Sequence, residues 1–487
     1  MAEEKENDDK LIFNDNLNLF EALIPVLFLI SLLAVNVLVF GDDALGGSNQ
    51  FVLLLAAAVA AIIGFLNKIS YDQMITAVGN NFKSTTGAIL ILLMVGALSG
   101  TWLLSGVIPA MIYYGLQILH PSVFLPATVI ICAIISVATG SSWTTSATVG
   151  IALVGIGTAL GIPIGMTAGA VISGAYFGDK MSPLSDTTNL ASAMAGADLF
   201  EHIKYMALTT VPSIVITLVI FGLMSLSQET SGQAQTTEML AGIKAAFNVS
   251  PLLFIVPMAV IILIIKKTKP FVALLAGTLL GGIFAVIFQP DVVAVVGGST
   301  DLDLVSAYKG VMNAITTDIS IHTNNEALKD LFSQDGMNGM LGTIWLIMCA
   351  MVFGGVMEAI GALAKISNSL LRMAKSVFGL FATTVASALS LNLTASDQYL
   401  SIVVTGKMFD KAYEQKGLAP ENLSRTIEDA GTVTSVLIPW NTCGAYQAGV
   451  LNVSVADYFV YAIFNYVSPI MTLIFAAFKI KIKQVLR

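Results

Sequence analysis

Apolar runs long enough to cross a bilayer recur along the chain from residue 19 to residue 478, separated by short polar stretches. The pattern predicts spans near 19–40, 51–66, 87–119 (kinked or split), 124–139, 163–178 and 205–227. A polar linker, LSQETSGQAQTTEML, follows at 226–240. A second set is predicted near 251–265, 271–288, 341–363, 376–391, 431–450 and 455–478. Backbone polar groups in lipid must pair within their own segment, so the predicted fold class is an all-α polytopic membrane protein. The expected divisions are a polar tail at 1–18, a first transmembrane repeat at 19–227, a linker at 228–250, a second transmembrane repeat at 251–478 and a basic tail at 479–487.

The mid-chain linker suggests comparing the halves. GAILILLMVGALSGTWLLSGVI (87–108) lies over GTIWLIMCAMVFGGVMEAIGAL (342–363) without a gap, and Gly87, Gly100 and Gly106 fall on Gly342, Gly355 and Gly361. A second block, GDKMSPL (178–184), lies over GTVTSVL (431–437) at nearly the same offset. The loop at 41–50 has no Lys or Arg, whereas KKTKP (266–270) has three Lys, so the positive-inside rule puts these matching loops on opposite sides. That pattern predicts two inverted-topology repeats. The basic C-terminal tail is expected in the cytoplasm. One stretch conflicts: 407–425 carries Lys407, Lys411, Lys416 and Arg425, yet counting spans leaves it outside, softened only by Asp410, Glu414 and Glu421.

Inverted repeats place a transporter's site where interrupted helices from both halves meet. Each half has two interruptions. ATGSSWTTSATVG (138–150) packs seven Ser and Thr around Trp143, before a run too short and glycine-rich to be an ordinary span; a re-entrant hairpin fits both facts. GAYFGDKMSPLSDTTN (174–189) has Gly178 and Pro183 bracketing Asp179, and Pro183 stops a continuing helix. In the second half, LSLNLTASDQYLS (389–401) and IEDAGTVTSVLIPWNTCGAY (427–446) repeat the theme. Single hydroxyls in membrane helices commonly bond their own backbone or glue helices together. A carboxylate at depth is different: it costs about 2.5–3.5 kcal/mol or more unless paired or hydrated, so Asp179 and Asp397 are the foremost candidates. Asp186 and Asp429 read equally well as interfacial charges, and Glu358 as a gate or a helix-end anchor. One carboxylate with several neutral oxygens suits a monovalent cation. A buried carboxylate is also a proton acceptor, so one site would serve Na+ and H+ in turn.

Composition narrows the class. The chain is 56% hydrophobic and 11% charged, with a net charge of −8, which excludes a soluble globule and offers no basic patch for nucleic acid. The acidic start, MAEEKENDDK, is unlike a secretory signal. Cys132, Cys349 and Cys443 are scattered singly, as are the three His, so neither a disulfide framework nor a zinc site is expected. No phosphate-binding loop for ATP is present.

Three motifs carry a resemblance: GSSWTTSATVGIALVGIG (140–157), SGAYFGDKMSPLSDTTNLA (173–191) and GTVTSVLIPWNTCGAY (431–446). Through most of the chain after about residue 20 the sequence resembles the NhaC family of Na+/H+ antiporters, within the ion transporter superfamily. The resemblance implies a multi-pass protein of the cell (inner) membrane that exchanges Na+ for H+ by alternating access, with no enzymatic activity and no cofactor. Its partners would be the lipid bilayer and the two ions, with the oligomeric state open and a homodimer included. Residues carried over are Ser141, Ser142, Trp143, Thr144, Asp179, Ser182, Asp186 and Thr187 in the first half. The second-half counterparts are Asp397, Glu428, Asp429, Asn441 and Thr442, joined by Asn392 from the chain's own pattern. Na+ is expected at Asp179 and Asp397, with Trp143 and Glu358 accessory. The acidic head and the insert at 289–340 depart from the compact pattern.

The nearest rival is a Na+-coupled exchanger of organic anions, since some relatives exchange malate and Na+ for lactate and H+. Asn392, Gln398 and Asn441 would anchor a carboxylate, but no Arg is expected inside the membrane, which favours inorganic ions. An intramembrane aspartyl protease would use Tyr71-Asp72 and Gly178-Asp179. Tyr71-Asp72 lies in the polar stretch NKISYDQM, and YFGD lacks the glycine expected two residues before Gly178. A channel fits the composition, though the predicted repeat with hairpins favours alternating access.

Overall fold

The computed structural model describes residues 12, 14–40, 46–227, 233–323 and 325–485. Most of the predicted N-terminal tail, half of the 41–50 loop, residues 228–232 of the linker and the last two residues lie outside that set. Among the described residues, eight helices are long and apolar enough to cross a bilayer, and a ninth span forms if the bent pair Thr237–Ala246 and Pro251–Ile265 counts as one. Large apolar side chains such as Leu38, Ile62, Leu226 and Ile287 stand exposed on these helices, as a lipid-facing surface requires. The chain is an all-α, multi-pass membrane protein.

The predicted 87–119 run is two helices, Tyr71–Leu104 and Val107–Ile118. The first starts well before its apolar stretch because Ser70 and Gln73 form a capping box, so NKISYDQM is a helix start rather than a loop. It ends where Gly106 takes φ 79°, a left-handed conformation that favours glycine. The second half repeats the break 255 residues later: Leu341–Ala359, then Gly361 at φ 79°, then Ala362–Leu371.

Both predicted hairpins are chain reversals. Helix Pro121–Thr139 runs parallel to Ile164–Met181, since Gly174 faces Val129 and Gly178 faces Ala133. The segment between them, Ser142–Ala159, runs the other way, with Gly150 against Val171 and Gly157 against Thr167. The reversal falls at Gly140, φ 70°. In the second half Val377–Thr394 and Gln398–Gln415 are antiparallel, tied by Ser401 to the Ala388 carbonyl at 2.9 Å and by Thr384 to Tyr413 at 3.2 Å. The turn is at Ser396, φ 60°, which is 256 residues after Gly140.

After each hairpin comes a broken helix. The first is Ile164–Met181, interrupted at 182–185, then Asp186–Met194. The second is Pro420–Thr432, interrupted through Pro439, then Thr442–Leu451. Helix Ile463–Ala477 fixes their relative direction. At its start, Asp457 and Tyr461 lie against Gly165 and Gly169, near the beginning of the first broken helix. Beyond its end, the Lys483 carbonyl accepts from Asn422 Nδ2 at 2.7 Å, near the beginning of the second. The two broken helices therefore enter from opposite ends of the molecule.

That geometry corrects two sequence-based expectations. Leu418 pairs with Gln484, so residues 417–422 lie on the side of the C-terminal tail rather than opposite it. Span counting failed because a hairpin returns the chain to the side it left. Arg425, which span counting leaves outside with the rest of 407–425, is fully buried with its guanidinium 4.5 Å from the Tyr205 ring centroid. The 289–340 insert folds as helices Pro290–Val296 and Leu304–Thr316 and a two-residue strand pair, Ile319–Ser320 with Ser333–Gln334.

Candidate ion-binding site

Helix Ile164–Met181 stops because Pro183 has no amide to donate and Ser182 turns its hydroxyl to the Val137 carbonyl at 2.8 Å. Asp179 sits in the last turn, buried. Its Oδ2 accepts two hydrogen bonds from the hairpin tip, from the Ser142 amide at 3.1 Å and the Ser142 hydroxyl at 2.7 Å. Ser142 is held there by Ser141, which caps the returning arm by accepting from the Thr144 amide (3.2 Å) and hydroxyl (3.1 Å).

The second half reverses these roles. Here the hairpin tip supplies the carboxylate: Asp397 caps the returning arm, its Oδ1 accepting from the Tyr399 and Leu400 amides at 2.8 and 3.1 Å. Its Oδ2 accepts from the Thr442 hydroxyl at 3.1 Å, on the first residue after the break. Asn441 caps that half-helix by accepting from the Cys443 amide (3.0 Å) and donates to the Asn392 carbonyl at 3.1 Å. Asn392 donates to the Gly431 carbonyl at 2.7 Å, closing the corner.

Contacts between the halves bring both corners to one region. Trp143 stacks on Tyr446 with centroids 4.0 Å apart and planes at 15°, and the Tyr446 hydroxyl donates to the Trp143 carbonyl at 3.1 Å. Thr187, in the first turn after the first break, donates to Glu428 Oε1 at 3.1 Å. Glu428 and Asp429 occupy a widened helical turn, Glu428–Thr432, and both are fully buried within the protein. Asp429 forms an ion pair with Lys180 and accepts from Ser468 (3.0 Å), Thr209 (2.9 Å) and Thr472.

Two predicted members stand apart. Asp186 is exposed. Glu358 is half-buried in the last turn of Leu341–Ala359 and bonds to none of the residues above. Sequence reasoning passed over Lys180, Thr209, Ser468 and Thr472. The signal for Lys180 was present: it follows Asp179 directly, at a depth where a carboxylate already drew notice. A cavity of about 780 Å3 reaches Pro439 at the second break, lined by Ile151, Thr158, Ala445, Gly449 and, from the insert, Gln334 and Asp335. Val453–Ala456, just before the contact of Asp457 with Gly165, also lines it.

Comparison with known proteins identifies the family. The family model described as the Na+/H+ antiporter family matches residues 174–480, which span both helix breaks and the second hairpin. The Na+/H+ antiporter NhaC of Alkalihalophilus pseudofirmus is 39% identical, covering 87% of this chain and 88% of its own length. NhaC of Bacillus subtilis is 36% identical over 87% of this chain and 90% of its own. The malate-2H+/Na+-lactate antiporter of Bacillus subtilis is 36% identical, with 88% of each chain covered. With identity at this level over nearly the whole length, and a model match covering most of the chain, the protein belongs to the Na+/H+ antiporter family.

Proposed function

We propose that the protein exchanges Na+ for H+ across the cell membrane by alternating access, with the ions bound where the two interrupted helices meet the two hairpin tips. The observation that carries this reading is the pair Asp179 and Asp397. Each is a buried carboxylate at a chain break, and each faces a hydroxyl of the opposing element in its own half. Such a group is neutral when protonated and needs a cation when it is not, which makes Na+ and H+ alternative occupants. The halves act as inverted copies: the breaks recur 255–256 residues apart and the broken helices enter from opposite ends. The cavity reaches Pro439 at the second break, which would give an ion a path to that corner. With Lys416, beside Gly417 and Leu418, on the side of Lys479, Lys481 and Lys483, positive charge concentrates there, and by the positive-inside rule that side would be cytoplasmic.

The test uses purified protein in liposomes with a trapped pH dye, acid inside. External Na+ should alkalinise the lumen quickly, and K+ or choline should not. One observation favours a second reading. Arg425 is a buried cation whose guanidinium nitrogens have no hydrogen-bond acceptor among the described residues, and such a group would suit the carboxylate of an organic anion. A response that requires malate or lactate in addition to Na+ would establish that exchange instead.

A further inference from the structure

Asp429 is surrounded by oxygen, and a positive charge already sits among those oxygens. The Lys180 ammonium donates to Asp429 Oδ1 and to the Ser468 hydroxyl, the latter at 3.0 Å. Ser468 bonds the same carboxylate oxygen, while Thr209 and Thr472 bond the other. Lys180 comes from the first broken helix, Asp429 from the second, Thr209 from Leu199–Leu226, and Ser468 and Thr472 from Ile463–Ala477. All five side chains are fully buried. Two further acceptors nearby in the chain are also fully buried and have no donor among the described residues: Glu428 Oε2, next to Asp429, and Asn465 Oδ1, one turn before Ser468 on the same helix. A carboxylate, three hydroxyls and spare acyl oxygens are the ligands of a hard, weakly charged cation, and an ammonium of similar charge stands in their midst.

We propose that the Asp429 cage is a monovalent-cation site that the chain fills with the ammonium of Lys180. The inference takes its choice of ion from the Na+/H+ reading. Lys180 neutralises Asp429, and in a medium of low dielectric a second cation beside it would be repelled. Arg425 adds positive charge from the same helix as Asp429. Lys180 therefore limits Na+ binding to the corners at Asp179 and Asp397, and sets how many Na+ ions one transport cycle carries. Removing the ammonium leaves a buried carboxylate uncompensated, which is severely unfavourable unless another cation takes its place.

The experiment compares the full-length protein with Lys180→Ala and with Lys180→Ala/Asp429→Asn, measuring equilibrium binding of radiolabelled Na+ and thermal unfolding in choline, Na+ and Li+. Lys180→Ala should bind one more Na+ per chain than the wild type. Its stability should be poor in choline and recover in Na+ or Li+. Above the dissociation constant, each tenfold rise in Na+ multiplies the folded-to-unfolded ratio by about ten per site, so the slope of the logarithmic plot should exceed the wild-type slope by one. The double variant should fold in choline and return to the wild-type count. An unchanged Na+ count in Lys180→Ala, an extra ion that persists in the double variant, or unfolding of Lys180→Ala in all three salts would overturn the proposal. A wild type that binds no Na+ beside a Lys180→Ala variant that binds one would refute the Na+/H+ reading and leave the cage standing.

Discussion

Asp397 has two separable jobs, and two substitutions tell them apart. Its Oδ1 caps helix Gln398–Gln415 through the Tyr399 and Leu400 amides, and its Oδ2 accepts from Thr442 across the hairpin tip. Asparagine caps a helix as well as aspartate does, so Asp397→Asn keeps the cap, removes the charge and reverses the Thr442 bond, with the new amide donating to the hydroxyl. Alanine removes both. Loss of the cap costs about 0.5–2 kcal/mol, and loss of a hydrogen bond to a charged acceptor costs about 1.5–3 kcal/mol. Asp397→Ala should therefore be destabilised by about 2–5 kcal/mol, whereas Asp397→Asn stays within about 1 kcal/mol of the wild type. Denaturant unfolding in detergent measures the stability, and Na+-evoked alkalinisation of liposomes measures exchange. Both variants should fail to exchange although only one is unstable. If Asp397→Asn exchanges at the wild-type rate, Asp397 is a helix cap and the second corner is no ion site.

A Cβ on Gly178 would lie 2.5 Å from the Ala133 carbonyl oxygen and 2.7 Å from the Val137 amide nitrogen, so Gly178→Ala should cost about 1–3 kcal/mol and displace Asp179; unfolding and exchange assays should both register it. The Trp143–Tyr446 stack joins the halves, and a double-mutant cycle of Trp143→Ala and Tyr446→Ala should give a coupling of about 0.5–1.5 kcal/mol; no coupling would mean the rings merely touch. Single cysteines at Lys416 and Lys481 in a background lacking the three native cysteines should react with an impermeant thiol reagent from the same side of the membrane, because the second hairpin returns the chain. Labelling from opposite sides would contradict that hairpin.

The breaks were legible because Gly, Pro and clustered hydroxyls interrupt apolar runs, and interruption is what the carriers of charge require. Gly106 and Gly361, aligned from sequence alone, share one left-handed conformation. Asp179 and Asp397 stood out for the same reason, as charges in the wrong solvent. The Asp429 cage was not legible. Thr209, Ser468 and Thr472 are isolated hydroxyls on otherwise apolar helices, and nothing along the chain distinguishes them from residues bonding their own backbone; only tertiary packing aims them at one carboxylate. Arg425 was missed because its neighbours Glu421 and Asn422 are as polar as a loop, although the chain buries all three. Span counting allowed no return arm after the 376–391 run, whereas Gln398–Gln415 brings the chain back antiparallel to it.

The proposed exchange depends on a buried carboxylate at the first break that would bind Na+ and H+ in turn. Asp179→Asn tests it most directly, in liposomes with an acid lumen and after unfolding in detergent shows the variant to be folded. Wild-type protein should alkalinise the lumen on addition of Na+, and Asp179→Asn should give no Na+-dependent change above protein-free liposomes. Na+-evoked alkalinisation by folded Asp179→Asn at the wild-type rate would show that the ions pass without this carboxylate.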